Sequence, residues 1–224
     1  MMRELGKLRR AFAASAVSLR LMDITDKRID FYFDFSSPYS YIASEWIEAL
    51  AARHARTVRW HAILLGATFQ AAELKSPVSH PIKREYSLLD FERSARFAGV
   101  PLTVPEPFPI ATQNAARVFW WLHAQDPERA TAWAHHVFRA YFTRGVNLSD
   151  STALKALAAE FGLDPQEAEA VWNDPAWKAR LKQANDSAIA GGTFGAPFFV
   201  IDGEPFWGND RRAQMERWLE KGPF

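Results

Sequence analysis

Ile29-Asp30-Phe31-Tyr32-Phe33-Asp34-Phe35-Ser36-Ser37-Pro38 decides the fold. Apolar and polar residues alternate from Ile29 to Phe35, and most of the apolar ones are aromatic, so the run reads as a core strand. Ser36-Ser37-Pro38 reads as a helix start: a hydroxyl cap, then a proline whose missing N–H is no loss in the first turn. Tyr41, Ala43, Trp46, Ile47, Leu50 and Ala51 follow near helical spacing, and residues 57–65 read as a second strand. Strand, helix and strand in quick succession form a βαβ unit, which favours a parallel pair.

Downstream the pattern changes. From Gly66 to Ala190 there is almost no strand signal. Asp126-Pro127, Asp164-Pro165 and Asp174-Pro175 each supply a cap with proline behind it, while Gly145, Gly162 and Gly191 close helices. The proline-rich bridge from Val100 to Pro109 reads as an extended crossover. Sheet signal returns at Pro197-Phe198-Phe199-Val200-Ile201. Asp202-Gly203 is a tight turn, Glu204–Trp207 a short edge strand, and Gly208-Asn209-Asp210-Arg211 the opening of a last helix. A βαβ start completed by a ββα end is the thioredoxin layout, an α/β fold, with an all-α segment inserted. The expected divisions are 1–28 as an N-terminal extension, 29–65 and 191–224 as the two thioredoxin-like halves, and 66–190 as the helical insertion.

The extension is basic: residues 1–21 carry Arg3, Lys7, Arg9, Arg10 and Arg20 against Glu4. It reads as an arm ahead of Met22, with an organellar presequence as the alternative; the expected location is the cytoplasm. Over the whole chain, 27 Lys+Arg against 26 Asp+Glu leave a net charge of +1, which disfavours nucleic acid as a partner. No apolar run approaches the roughly 18 residues of a membrane span. Cysteine is absent, which removes disulfides, thiolate ligands and dithiol redox chemistry of the chain's own. His135 and His136 are adjacent and diverge on a helix, no metal-ligand spacing is present, and no metal is expected.

Three features point at one place. Ser37 stands at the helix start, where unpaired N–H groups and the helix dipole favour negative charge. Ala196-Pro197 precedes a strand, with the bond between them expected to be cis, so that the Ala196 backbone can pair with an extended peptide. Asn209 and Asp210 open the last helix and suit the carboxylate and ammonium of an amino-acid head. Each alone could be a plain cap or turn, but the layout brings them to one edge. A peptide with a thiol in the middle and an amino-acid head fits, and glutathione meets that description.

Asp34-Phe35-Ser36-Ser37-Pro38-Tyr39-Ser40-Tyr41, Leu64-Leu65-Gly66, Pro81-Ile82-Lys83, Phe194-Gly195-Ala196-Pro197 and Phe206-Trp207-Gly208-Asn209-Asp210-Arg211 together resemble the 2-hydroxychromene-2-carboxylate isomerase family, related to kappa-class glutathione transferases. The resemblance runs over about residues 29–220. It implies glutathione as cofactor and a homodimer. Ser37 matches the family's catalytic serine, which hydrogen-bonds the glutathione sulfur. Pro38 and Tyr39 share its helix-start loop, Ala196 and Pro197 match the segment beside the cysteinyl unit, and Asn209 and Asp210 match the positions that hold the γ-glutamyl end. One departure stands out: Glu73-Leu74 occupies the place of a usual Gly-Asn pair, so that either Lys75, Ser76 or Ser79 replaces that contact or glutathione binds more weakly.

The implied reaction is isomerisation of 2-hydroxychromene-2-carboxylate, or a similar small aromatic-degradation intermediate, by reversible thiolate addition. Lys83 and Arg93 are the expected partners of the substrate carboxylate. Phe119, Trp120, Trp121 and Trp133 are either walls for a planar substrate or core. The alternatives are a kappa-like glutathione transferase and a non-catalytic thioredoxin-fold binding module.

Overall fold

A computed structural model describes residues 27–224; the basic extension and its presequence alternative lie outside the described residues. β1 (Arg28–Phe33) and β2 (Thr57–Ala62) pair in parallel, Phe31 opposite Trp60. β3 (Phe198–Ile201) runs antiparallel to β1, and β4 (Glu204–Trp207) antiparallel to β3, giving the order β2-β1-β3-β4. Asp202 and Gly203 both have positive φ, 53° and 84°, as a two-residue hairpin of the right twist requires. The fold is the expected one: thioredoxin-like, with a helical insertion between its halves.

Alternation along β1 sets the two faces. Ile29, Phe31 and Phe33 are buried; Phe31 stacks on Phe199 at 5.2 Å, and Phe33 meets Phe119 edge-on at 5.3 Å. On the other face Asp30 accepts from Arg59 at 2.5 and 2.9 Å and contacts His61 at 2.6 Å. Burial opposes ionisation there, but hydrogen bonds from His61 and Arg59 outweigh it and hold the Asp30 carboxyl at about 2.

The single helix expected after Ser37 is two: α1 (Pro38–Ser44) and α2 (Ile47–Arg53). The break falls at Glu45 and Trp46, whose apolar spacing is uninterrupted but whose side chains are drawn to different neighbours. Glu45 pairs with Arg139 at 2.8 Å, and Trp46 bonds Asn209. β2 ends at Ala62, short of the expected Leu65. Leu65 is instead the first residue of α3 (Leu65–Ala71), its N–H taken by the Asp34 carboxylate at 2.6 Å.

The insertion continues through α4 (Pro81–Ala98), α5 (Gln113–Gln125), α6 (Pro127–Arg144), α7 (Ser151–Glu160), α8 (Pro165–Asn173) and α9 (Pro175–Ala190). Asp126, Asp164 and Asp174 cap α6, α8 and α9 through their side chains, each with proline at the first helical position. Gly145 ends α6 in the left-handed conformation. The proline-rich bridge has no regular structure and is tied to α6 by Thr103 N–H bonding Phe142 O at 2.8 Å. One buried cluster runs from the sheet through α5, α6 and α8, so sheet and insertion share a core. α10 (Arg212–Lys221) closes the fold; Asn209–Arg211 ahead of it form a 3-10 turn rather than its first turn.

Candidate active site

Ser37 is the N-cap of α1 and is buried. Its Oγ accepts from Ser40 N–H at 3.1 Å and donates to the Ala196 carbonyl at 3.2 Å. The first bond fixes the oxygen. The second is long, so the hydroxyl hydrogen can swing to a better acceptor, such as a thiolate, without disturbing the cap. α1 is barely two turns long, so the hydroxyl contributes more to such a site than a macrodipole does.

Ala196-Pro197 is cis, as expected, and lies against Ser37. Gly195 before it has no room for a side chain: a β-carbon would lie 2.5 Å from Trp207 Nε1. The Pro197 carbonyl accepts from Gly208 N–H at 3.0 Å, which brings the Asn209–Arg211 turn beside the Ser37 loop. Gly208 has φ 108°, and a β-carbon there would collide with Asp210 Oδ1, so glycine keeps this end of the site open. Asn209 Oδ1 accepts from Trp46 Nε1–H at 2.8 Å, which leaves the Asn209 amide hydrogens to donate. Asp210 is largely exposed and accepts from Arg211 at 2.7 Å.

These residues line one cavity of about 920 Å³, at the large end of the usual range for small-molecule sites. Ser37, Pro38, Tyr39, Ala196, Pro197, Asn209 and Asp210 all contribute to it. Tyr39 is wall as much as ligand contact: its hydroxyl donates to Asp90 at 2.5 Å, and its ring meets Phe91 at 5.0 Å. Burial, and the hydrogen bond to Asp90 behind it, push the phenol pKa far up, so it stays protonated.

Lys83 and Arg93 do not reach this cavity. α4 turns Asp90, Phe91 and Ser94 toward it, while Lys83 is exposed and Arg93 sits over the Tyr86 ring at 5.8 Å, paired with Asp90 at 3.2 Å. Phe119, Trp120 and Trp133 are core: Trp120 Nε1 bonds Ala62 O and Trp133 Nε1 bonds Ala115 O. Trp121, half-buried, packs against that core. The apolar walls come instead from Phe69, Val78, Phe91, Phe108 and Ile110. No sequence pattern joins these positions; only the paths of α3, the 3-10 turn Pro77–Ser79, α4 and the bridge do.

Sequence reasoning also passed over Asp34. It is buried at the edge of the cavity and accepts four hydrogen bonds: from Ser36 N at 2.7 Å, Ser36 Oγ at 2.9 Å, Leu65 N at 2.6 Å and Thr112 Oγ1 at 2.9 Å. Burial raises its pKa, against those donors. Glu73 and Leu74, the departure noted above, are exposed and do not line the cavity, but Ser76 does, whereas Lys75 and Ser79 do not. Away from the site, His54, Glu216 and Glu220 bring ligand atoms within 4.8 Å of one another, a grouping that sequence spacing does not reveal. Glu216 is already paired with Arg53 at 2.7 Å. Among the described residues no helix is long and apolar enough to cross a membrane.

A thioredoxin-like domain whose α1 opens on Ser37, beside a cavity lined by both the sheet half and the insertion, defines a cysteine-free member of the thioredoxin-like proteins. The chain belongs to the DsbA-like thioredoxin domain family, whose model matches residues 28–220, and within it groups with the 2-hydroxychromene-2-carboxylate isomerases. The isomerase of that name from Sphingobium xenophagum is 32% identical over 195 residues, covering 86% of this chain and 98% of the relative. Glutathione S-transferase kappa 1 of Caenorhabditis elegans is 28% identical, covering 82% of this chain and 87% of its own. A solved 2-hydroxychromene-2-carboxylate isomerase superposes with a TM-score of 0.77 at 28% identity, over 87% of this chain and 95% of that one. The relatives' names make this chain an enzyme; the absence of cysteine separates it from the dithiol oxidoreductases that share its fold.

Proposed function

We propose that this enzyme is a glutathione-dependent isomerase of 2-hydroxychromene-2-carboxylate or a similar aromatic-degradation intermediate. The observation that carries the reading is the placement of the Ser37 hydroxyl between Ser40 N–H and the Ala196 carbonyl, in a cavity that also holds Asn209 and Asp210. When bound, glutathione supplies a thiolate that adds reversibly to a conjugated carbon and leaves after bond rotation, so nothing is transferred overall. Ser37 donates to the sulfur and favours its ionised form. The Ala196 backbone flanks the cysteinyl unit. Asn209 donates to the γ-glutamyl carboxylate, and Asp210 holds its ammonium. The aromatic and aliphatic walls keep water from the reacting carbon. Glutathione-dependent chemistry fits the reducing cytoplasm.

A second copy of the chain is the proposed partner of α4. Ile82, Tyr86, Leu89 and Phe97 share one face of that helix by spacing and are exposed. Lys83, Glu85, Glu92, Arg93 and Arg96 lie on or beside that face with both signs, as a self-complementary two-fold contact needs.

The test is calorimetric titration of glutathione into the wild type and Asp210→Ala. Saturable binding that weakens about tenfold or more in the variant supports the site, since a charged hydrogen bond is worth that much. No binding at millimolar glutathione overturns it. Product analysis then separates isomerase from kappa-like transferase: the first returns glutathione, the second keeps it in a conjugate.

A further inference from the structure

Thiolate addition to a chromene of this kind needs a prior proton transfer. In 2-hydroxychromene-2-carboxylate the carbon that bears the hydroxyl also bears the ring oxygen. The ketone that activates the double bond appears only when that hydroxyl loses its proton and the ring C–O bond breaks. Among the described residues no histidine lines the cavity, and its carboxylates are Asp34, Asp90 and Asp210. Asp34 is saturated by four donors, and Asp210 is largely exposed and bonded to Arg211 at 2.7 Å. Asp90 remains. One of its oxygens pairs with Arg93 at 3.2 Å; the other accepts from the Tyr39 hydroxyl at 2.5 Å and lies 3.5 Å from Ser94 Oγ.

Resting on the isomerase reading above, we propose that Tyr39 is a further catalytic residue, a proton relay backed by Asp90 that opens the substrate's ring. The Tyr39 hydrogen is committed to Asp90, so the lone pairs of Oη are what it offers the cavity. Oη takes the proton of the substrate hydroxyl while its own proton passes to Asp90. The hydroxyl oxygen becomes a ketone, and the electrons of the broken C–O bond stay on the ring oxygen as a phenolate. The same relay then runs backward and protonates that phenolate, so neither residue is changed over the cycle. Tyr39 never has to exist as a phenolate itself, because one proton arrives as the other leaves. Its place suits the task. It stands two residues after Ser37 on the same lining, and its ring meets Phe91 at 5.0 Å, which meets Phe108 at 5.9 Å. A flat substrate packed on this aromatic row has Tyr39 Oη as the hydroxyl beside it.

The experiment compares two substrates at saturating glutathione. 2-Hydroxychromene-2-carboxylate must open its ring; cis-benzylidenepyruvate has no ring oxygen and needs only addition, rotation and elimination. Tyr39→Phe keeps the aromatic packing and removes the relay. Asp90→Asn can still accept the Tyr39 hydrogen bond but cannot take its proton. In each variant the ratio of kcat on the chromene to kcat on the open analogue should fall at least about tenfold. A tie that merely joins α1 to α4 would change both rates together, and an unchanged ratio in either variant, shown by thermal melts to be folded, overturns the proposal. The two readings fail separately. A wild type that isomerises neither substrate with glutathione brings down the isomerase reading and the relay with it. A wild type that isomerises both, with the ratio unmoved in the variants, removes the relay alone.

Discussion

The indole nitrogen of Trp46 donates to the side-chain oxygen of Asn209 at 2.8 Å, joining the break between α1 and α2 to the turn ahead of α10. The bond orients the Asn209 amide, so that its hydrogens, not its oxygen, are left for a ligand carboxylate. Trp46→Phe keeps the ring and removes the donor. Glutathione binding should weaken by about three- to tenfold, the worth of one neutral hydrogen bond, with turnover at saturating glutathione retained. Calorimetry and kcat read the two quantities. An unchanged dissociation constant would detach Asn209 from the cofactor.

Ser37→Ala removes a helix cap and, on the proposed reading, the donor to the glutathione thiolate. Loss of the cap costs about 1 kcal/mol, so the protein should remain folded. Turnover should fall by more than about tenfold, and the thiolate absorbance of bound glutathione should move to higher pH. If absorbance and turnover both match the wild type, Ser37 is a cap and nothing more.

Ser76→Ala tests what stands in for the Gly-Asn pair that the family resemblance implies at Glu73-Leu74. Ser76 lines the cavity and Lys75 does not. Ser76→Ala should weaken glutathione by about threefold or more, and Lys75→Ala should leave it unchanged. The reverse pattern in the titrations would move the glycyl end of the cofactor outward.

Stability should pass through a maximum on the acid side of neutrality. Asp30 and Glu45 are each held at about 2; burial opposes this, and His61 with Arg59, or His135 with Arg139, outweigh it. Acids depressed in the fold stabilise it above their unfolded pKa, near 4, and lose that contribution as pH falls toward 2. His135 goes the other way. Burial lowers its pKa, but Glu45 and Glu48 raise it further, so its contribution is full below about 6.5 and is lost as pH rises through the raised value. Thermal melts should therefore peak between about pH 4 and 6.5. Asp30→Asn should flatten the acid limb, by on the order of 2 kcal/mol at neutral pH, and His135→Gln the other limb. Limbs that keep their slopes in both variants would assign the pH dependence elsewhere.

What the sequence disclosed were the local signals. Ser37-Pro38, the Asp-Pro caps, Asp202-Gly203 and Ala196-Pro197 depend on a few neighbouring residues, and each was readable because the backbone's demand there is met by residue type. What stayed hidden depends on distant partners. The apolar spacing of Tyr41, Trp46 and Leu50 runs straight through a break imposed by Asn209 and Arg139. Leu64-Leu65 looks like a strand end until Asp34 claims Leu65 N–H. Lys83 and Arg93 looked like substrate partners because α4 has apolar residues on an exposed face as well as toward the cavity, so its inward side cannot be told from spacing. The walls Phe69, Val78, Phe91 and Phe108 meet only in the fold.

Asp34 makes the last case. Its carboxylate joins three segments: the Ser36–Ser37 loop, the start of α3 at Leu65 and the entry to α5 at Thr112. Leu65 and Ser36 present backbone N–H groups, which nothing else can supply with an acceptor at these positions if the carboxylate goes. Asp34→Asn replaces one acceptor oxygen by a donor and sets N–H against N–H, so it should cost about 2–4 kcal/mol, seen as a fall in Tm. Thr112→Val removes one donor and keeps the shape, and should cost about 1 kcal/mol. Because the carboxylate also fixes the loop that carries Ser37, Asp34→Asn should lower kcat even where it is fully folded, whereas Thr112→Val should lower stability with kcat nearly unchanged. Equal kcat in wild type and Asp34→Asn, measured well below the variant's Tm, would make Asp34 a brace for the insertion without influence on the site.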